Sequence, residues 1–445
     1  MVFMKTHDSQ CHKRKSMNAI KSRCAVFLAV SALGLYAMPN AMADHYVAQN
    51  GQTPSGTYTT WATAASNIQD AVNVAYTNST VWVGAGRYTV PTNAVAYNGT
   101  NVVYIAKPLV LRSSNGVPET TIIDGGGSRR GIVMYNGSIG STNYVVVDGF
   151  TISNCAATNF GAGIYMVAAI YTALVQNCVI SYNYSAGGGG GIDIPENWQQ
   201  FHYIISNCVF RGNQALYGGG VDTFIRTAGR GGAITHCIFE TNTTTAYGAG
   251  LCVATGVFSL DNCIFRGNRA TTSGGAMHIR GGTNTARNCL YINNYSVTAG
   301  GAIYYEGSLG HYLYNCTVVS NRGSSGSGIG FQAGTITLQI CNSIVYSNYN
   351  GNVSGGTPSY TNTCTYPTNA YVLAGTGNIT SPPAFVNFSG QDYRLSLQSP
   401  CLNAGTNLGW MAGAMDLDGK KRIRYGTVDM GAYEMIYDGT IYKFR

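Results

Sequence analysis

Charge is what this chain has least of. Asp, Glu, Lys and Arg make up 10% of 445 residues, against about 25% in an ordinary globular domain. Scarce Glu and Lys also remove the strongest surface helix formers, which excludes a mainly helical protein. No Cys-x-x-Cys pair occurs among the 13 cysteines, which argues against a thiolate zinc site. The apolar run AVFLAVSALGLYAM is too short for a comfortable membrane span. It follows Lys13, Arg14, Lys15, Lys21 and Arg23 and precedes Ala41-Met42-Ala43. That order predicts a signal peptide over residues 1–43, beginning at Met1 or Met17, and hence export with Asp44 as the mature start. Removing its six basic residues and one acidic residue leaves 20 Lys+Arg against 17 Asp+Glu. So small a balance gives no reason to expect nucleic acid as a partner. The one dense basic patch, Lys420-Lys421-Arg422 with Arg424, reads as a solvated turn.

Glycine is abundant instead, at 58 residues, about twice the usual share. It recurs in phase with two other columns. An Asn-Cys step, with His236 in the asparagine's place once, puts Cys178, Cys208, Cys237, Cys263, Cys289 and Cys316 at gaps of 30, 29, 26, 26 and 27 residues. Five positions later stand Asn183, Asn213, Asn242, Asn268, Asn294 and Asn321, and the register continues to Asn348, with Ser343 in the cysteine's place. A glycine-rich step then closes on Ile164, Ile192, Val221, Leu251, Met277, Ile303 and Ile329. A period near 26 without helical patterning predicts one turn of a β-solenoid per unit. Cysteine and the apolar residue two places on would point inward. Asparagine would sit at a bend, bonding the amides above and below, and glycine would take the crowded corner.

The FxxN steps (Phe210 to Asn213, Phe239 to Asn242, Phe265 to Asn268) and GGAI-like steps (Gly274 to Met277, Gly300 to Ile303) resemble the polymorphic outer membrane protein repeat, within the right-handed parallel β-helix or pectin-lyase-like class. HYVAQNGQ, Trp61, AASNIQDAVNVAY and TVWVGAGRYTV are similar to the N-terminal cap of secreted bacterial β-helix proteins; Ile68, Ala71, Val72 and Ala75 share one helical face suited to plugging the coil. SPCLNAGTNLGW with DLDGKKRIRYGTVDMGAYE is similar to the choice-of-anchor Q domain. The expected fold is therefore all-β, a right-handed parallel β-helix with a short N-terminal capping helix and a small C-terminal β module. The expected boundaries are a signal peptide over 1–43, cap and first rungs over 44–145, repeats over 146–355 and the C-terminal module over 356–445.

Eleven cysteines follow the signal segment. Stacked in register, their Cβ atoms would lie a rung apart, beyond disulfide range, which predicts a ladder of free thiols. Cys364 and Cys401 stand outside that ladder and are free to pair. Asp416, Asp418 and Gly419 resemble the start of an EF-hand loop, but basic residues follow and the loop's closing glutamate is absent, so a tight turn is expected. No metal or cofactor is expected.

Side chains alternate along a strand, so the residue after each inward apolar position faces out. That column contains Tyr165, Asp193, Asp222, Cys252, His278 and Tyr304, with Phe224, Arg280, Glu306 and Gln332 two places on. The two longest units add loops carrying Glu196, Trp198, His202, Arg226 and Arg230. Two aspartates on neighbouring rungs repel unless one keeps a proton or a cation lies between them. As a hydrolase pair they would act as acid and as base or nucleophile. In a lyase, Tyr304 or His278 would remove a proton while Arg280 held the substrate carboxylate. The candidate catalytic residues are thus Asp193, Asp222, His278 and Tyr304, and the candidate substrate-binding residues Glu196, Trp198, His202, Arg226, Arg230, Arg280 and Glu306. The resemblance implies either a carbohydrate-active enzyme or a surface adhesin. The expected role is a secreted or surface-associated monomer that binds an extracellular polysaccharide or surface glycan, with cleavage and a purely structural envelope role as alternatives.

Overall fold

In the computed structural model the described residues are 43–89, 100–135, 144–167, 172–195, 202–224, 231–307, 310–332, 336–366 and 374–435. Residues 1–42 of the expected signal peptide lie outside them, as do Glu196, Trp198, Arg226 and Arg230. The chain is a right-handed parallel β-helix. One rung runs His202–Ser206, Val209–Arg211, Gln214–Tyr217 and Val221–Thr223; the next repeats it as Gly231–Thr235, Ile238–Glu240, Thr243–Tyr247 and Leu251–Val253. Among the described residues, stacked rungs form parallel sheets of twelve, eleven, six and ten strands in that order around the coil.

The corners explain the sequence columns. The residue before each ladder cysteine is left-handed, with φ of 54° at Asn177, 52° at Asn207, 55° at Asn262 and 53° at Asn288, and of 53° at His236, which takes the asparagine's place before Cys237. Asparagine tolerates that conformation better than most residues. The cysteine that follows is buried and its thiol donates to the carbonyl two residues back, as from Cys208 to Ser206 at 3.2 Å. All eleven described cysteines are free thiols, Cys364 and Cys401 included. At the next bend the asparagine amides form a continuous ladder. Asn268 Nδ2 donates to Asn294 Oδ1 at 2.9 Å, and Asn268 Oδ1 accepts from Asn242 Nδ2 at 2.9 Å. Between these corners Phe210, Phe239, Phe265 and Tyr291 stack face to face inside the coil, 4.5–5.1 Å apart.

The glycine corner is more demanding. Gly274 has φ +67°, and a Cβ there would lie 2.4 Å from the Met277 carbonyl oxygen and 2.9 Å from His278 Cβ. The chain doubles back so sharply that this corner lies against the outward side chain four residues later.

The N-terminal end is closed by α1 (Ile68–Val74), capped by Asn67, whose side chain accepts from the Asp70 amide. Ile68, Ala71, Val72 and Ala75 are buried in the core. Gln69 does more than pack. Its side chain accepts from Tyr104 N at 2.7 Å and donates to Tyr104 O at 3.1 Å, acting as one residue of a further strand beside Asn101–Ile105, the edge of the ten-stranded sheet. Gln69→Ala is expected to destabilise the fold by about 2–3 kcal/mol by leaving those buried groups without that partner. Urea denaturation showing no loss would remove the capping role.

Strands of the coil run on to Cys364–Thr365. The C-terminal segment then packs back over the eleven-stranded sheet, with Phe385, Tyr393, Leu417 and Tyr433 against Ile264, Leu290, Ile292 and Val319. The corner asparagines fasten it. Asn262 Nδ2 donates to Asp416 O at 2.7 Å, Asn288 to Met415 O at 2.9 Å, Asn315 to Asp429 O at 3.1 Å and Asn342 to Thr406 O at 2.8 Å. Asp416 closes a turn, accepting from the amides of Asp418, Lys420 and Glu434. One expectation is corrected here. Arg422 is not solvated but fully buried, ion-paired with Glu434 at 3.0 Å and donating to Asp429 O and Gly431 O.

Candidate functional site

Pairing in the ten-stranded sheet sets Tyr165, Asp193, Asp222, Cys252, His278 and Tyr304 side by side on successive rungs. These side chains point away from the core, yet most are inaccessible. Asp193 is 2% exposed, Asp222 6%, Cys252 3% and His278 1%. The cover is the glycine corner itself. A Cβ on Gly188 would fall 2.1 Å from Asp222 Oδ2 and 2.7 Å from Asp193 Oδ2, so bare backbone lies over the carboxylates. Beyond it Tyr217 and Tyr247, each one residue before a corner glycine, stack at 5.8 Å and 13°. Tyr247 lies 4.7 Å from the His278 ring, and Tyr304 lies 5.2 Å away on the next rung.

Burial and mutual repulsion hold the Asp193 carboxyl well above the usual range, with Arg130 opposing. Burial pushes Asp222 up to about 7, while the Cys252 thiol and the Arg280 charge pull it down. The proton therefore supplies the neutralisation that neighbouring aspartates require. Among the described residues, no three His, Cys, Asp or Glu side chains converge to hold a metal ion.

His278 connects the buried row to the surface. Its Nδ1 lies 3.0 Å from Ser273 Oγ and its Nε2 lies 2.9 Å from Glu306 Oε2. Burial lowers its pKa despite Glu306, so the ring is neutral at neutral pH, accepting from Ser273 and donating to Glu306. That donation holds the Glu306 carboxylate below its usual range, with Arg280 Nε 3.7 Å away. Glu306 is part-exposed and Arg280 exposed. The group can orient a hydroxyl or carboxylate presented from outside, but a neutral histidine enclosed by two tyrosines is poorly placed to meet substrate. His202 is exposed and lies on the twelve-stranded sheet, away from this row. Arg130, Ser273, Tyr217 and Tyr247 were not singled out from the sequence. The tyrosines had a readable signal, since each directly precedes a corner glycine. Arg130 had none, because its rung lies before the regular columns begin.

A solved structure of pectate lyase Pel9A is similar, with a TM-score of 0.54 at 14% identity over 88% of this chain and 96% of that one. At that identity the likeness establishes the pectin-lyase-like β-helix fold and nothing finer. No protein-family model matches the chain, and no curated protein matches it.

Proposed function

We propose that this protein is exported and binds an extracellular polysaccharide or surface glycan along the glycine corner between the six- and ten-stranded sheets and the adjoining outer face of the latter, as an adhesin-like surface rather than a hydrolase. One observation carries the reading. Tyr217, Tyr247 and Tyr304, all part-exposed, form with the enclosed His278 ring a row across four rungs, ending beside Arg280 and Glu306, while the aspartates beneath are covered. Aromatic faces and edges pack on sugar rings, and a row at rung spacing suits a polymer more than a small ligand. The polysaccharide reading also accords with the fold shared with a pectate lyase. The resemblance of the FxxN and GGAI-like steps to surface repeat proteins favours adhesion.

The test is a glycan panel incubated with the purified protein and read for both binding and new unsaturated or reducing ends. Binding without new ends is expected, weakened about tenfold or more by Tyr217→Ala with Tyr247→Ala. New ends that vanish in Glu306→Gln would replace this reading with an enzymatic one. No binding across the panel would reject it.

A further inference from the structure

The six-stranded sheet presents a second outward column. Tyr184, Gln214, Thr243, Arg269 and Tyr295 follow one another in register, and an isolated bridge continues the column to Arg322. Each of the later members donates its amide to the ladder asparagine one rung earlier, Arg269 to Asn242, Tyr295 to Asn268, Arg322 to Asn294 and Tyr349 to Asn321. The asparagine ladder thus fixes an alternating Arg-Tyr-Arg-Tyr stripe. The Arg269 guanidinium lies 4.3 Å from the Tyr295 ring centroid, and that of Arg322 lies 4.8 Å from Tyr349. Both arginines are exposed, as is Tyr349 at 70%. The column contains no acidic residue. Glu240, on the adjoining sheet, is already shared by Arg211 and Arg266.

We infer that this stripe binds an acidic polysaccharide, its carboxylates paired with Arg269 and Arg322. Tyr217 and Tyr247 end two earlier strands of this same sheet, but the arginine pairs stand on later rungs than either tyrosine, and the stripe does not draw on them. Stacking on tyrosine restricts each guanidinium before a ligand arrives, and its free edge matches a carboxylate with two parallel hydrogen bonds. Two rungs separate the arginines by about 9.5 Å. In an extended polyuronate, carboxylates on one side recur at every second sugar, a repeat of the same order. A nucleic acid fits less well, because phosphate binding draws on many cations and this stripe offers two.

The experiment compares a long oligogalacturonate, its methyl-esterified form and an oligothymidylate as ligands for the purified protein at physiological ionic strength. Tighter binding of the acid than of the ester is expected. Arg269→Ala with Arg322→Ala should lower affinity for the acid by ~10–100-fold, leaving the ester and the melting temperature unchanged. Arg269→Lys with Arg322→Lys should restore only part of it, because lysine keeps the charge without the planar fork. The inference is overturned if acid and ester bind equally, if the double alanine variant binds the acid as wild type does, or if oligothymidylate binds as tightly. Loss of neutral-glycan binding on changing Tyr217 and Tyr247 concerns the aromatic row and is read separately.

Discussion

Asp222→Asn is expected to stabilise the protein at neutral pH by roughly 2–4 kcal/mol and to have no such effect near pH 4. In the unfolded chain this carboxyl ionises near its ordinary value of 3.8, while in the fold burial raises it to about 7. Between those values the folded state holds a proton that the unfolded state has released. The folded state therefore binds more protons, and stability falls as pH rises from about 4 to 7, then levels off. Asp193 is shifted in the same direction, so its own change to Asn should act likewise. Arg130 and Arg280 are the cations that oppose these shifts. Glu434 is also pushed up, to about 9, but it is common to both proteins and cancels in the difference. Urea denaturation of wild type and variant across the range gives the difference curve. A variant less stable than wild type at neutral pH, or a difference independent of pH, would refute the assignment. A buried acid pair that lowers stability where amides would not is a candidate for a role other than packing.

The other large effect is expected at Asn268→Ala, in the middle of the asparagine ladder. Asn268 is fully buried and its amide makes four hydrogen bonds. It donates to Asn294 Oδ1 and Phe239 O, each at 2.9 Å, and accepts from Asn242 N at 3.1 Å and Asn242 Nδ2 at 2.9 Å. Alanine takes the acceptor from the Asn242 backbone N–H and from one of its two side-chain N–H groups, whose other bond goes to Phe210 O, and removes the side-chain donor from the Phe239 carbonyl inside the coil. Each unsatisfied buried group costs about 1–3 kcal/mol, so a loss of about 3–5 kcal/mol is expected. Asn293→Ala tests whether the position or the residue type matters, since Asn293 is exposed and serves mainly to hold φ at 52°. That change should cost only about 1–2 kcal/mol, the left-handed penalty alone. Equal losses at the two sites would show that the ladder contributes little.

These expectations divide between what a period can reveal and what it cannot. The spacing of Cys208, Cys237 and Cys263 fixes a rung, and alternation then places Asp193 and Asp222 outward on neighbouring strands. That much follows from local geometry, because equivalent residues of a solenoid stack on one another whatever their identity. The same logic located the capping face of Ile68, Ala71 and Val72. Gln69 was not legible as the partner of Tyr104, since an edge carbonyl and amide leave no mark in the sequence.

Outward did not mean exposed. Whether a side chain beyond the sheet meets water depends on what the next corner lays over it, and here the bare backbone at Gly188 and the rings of Tyr217 and Tyr247 close the face. Arg422 shows the same limit in reverse. A basic run ordinarily marks a solvated turn, but its neighbours Asp429 and Glu434 and the module's packing on Ile264, Leu290 and Val319 enclose it. The sequence by itself determined the repeat, the sheet each residue joins and the side it faces, because strand alternation and corner chemistry act over a few residues. Only the tertiary structure decided which outward groups are covered, which asparagines hold the C-terminal segment and which cations stay unpaired, because burial depends on chain segments far apart in sequence.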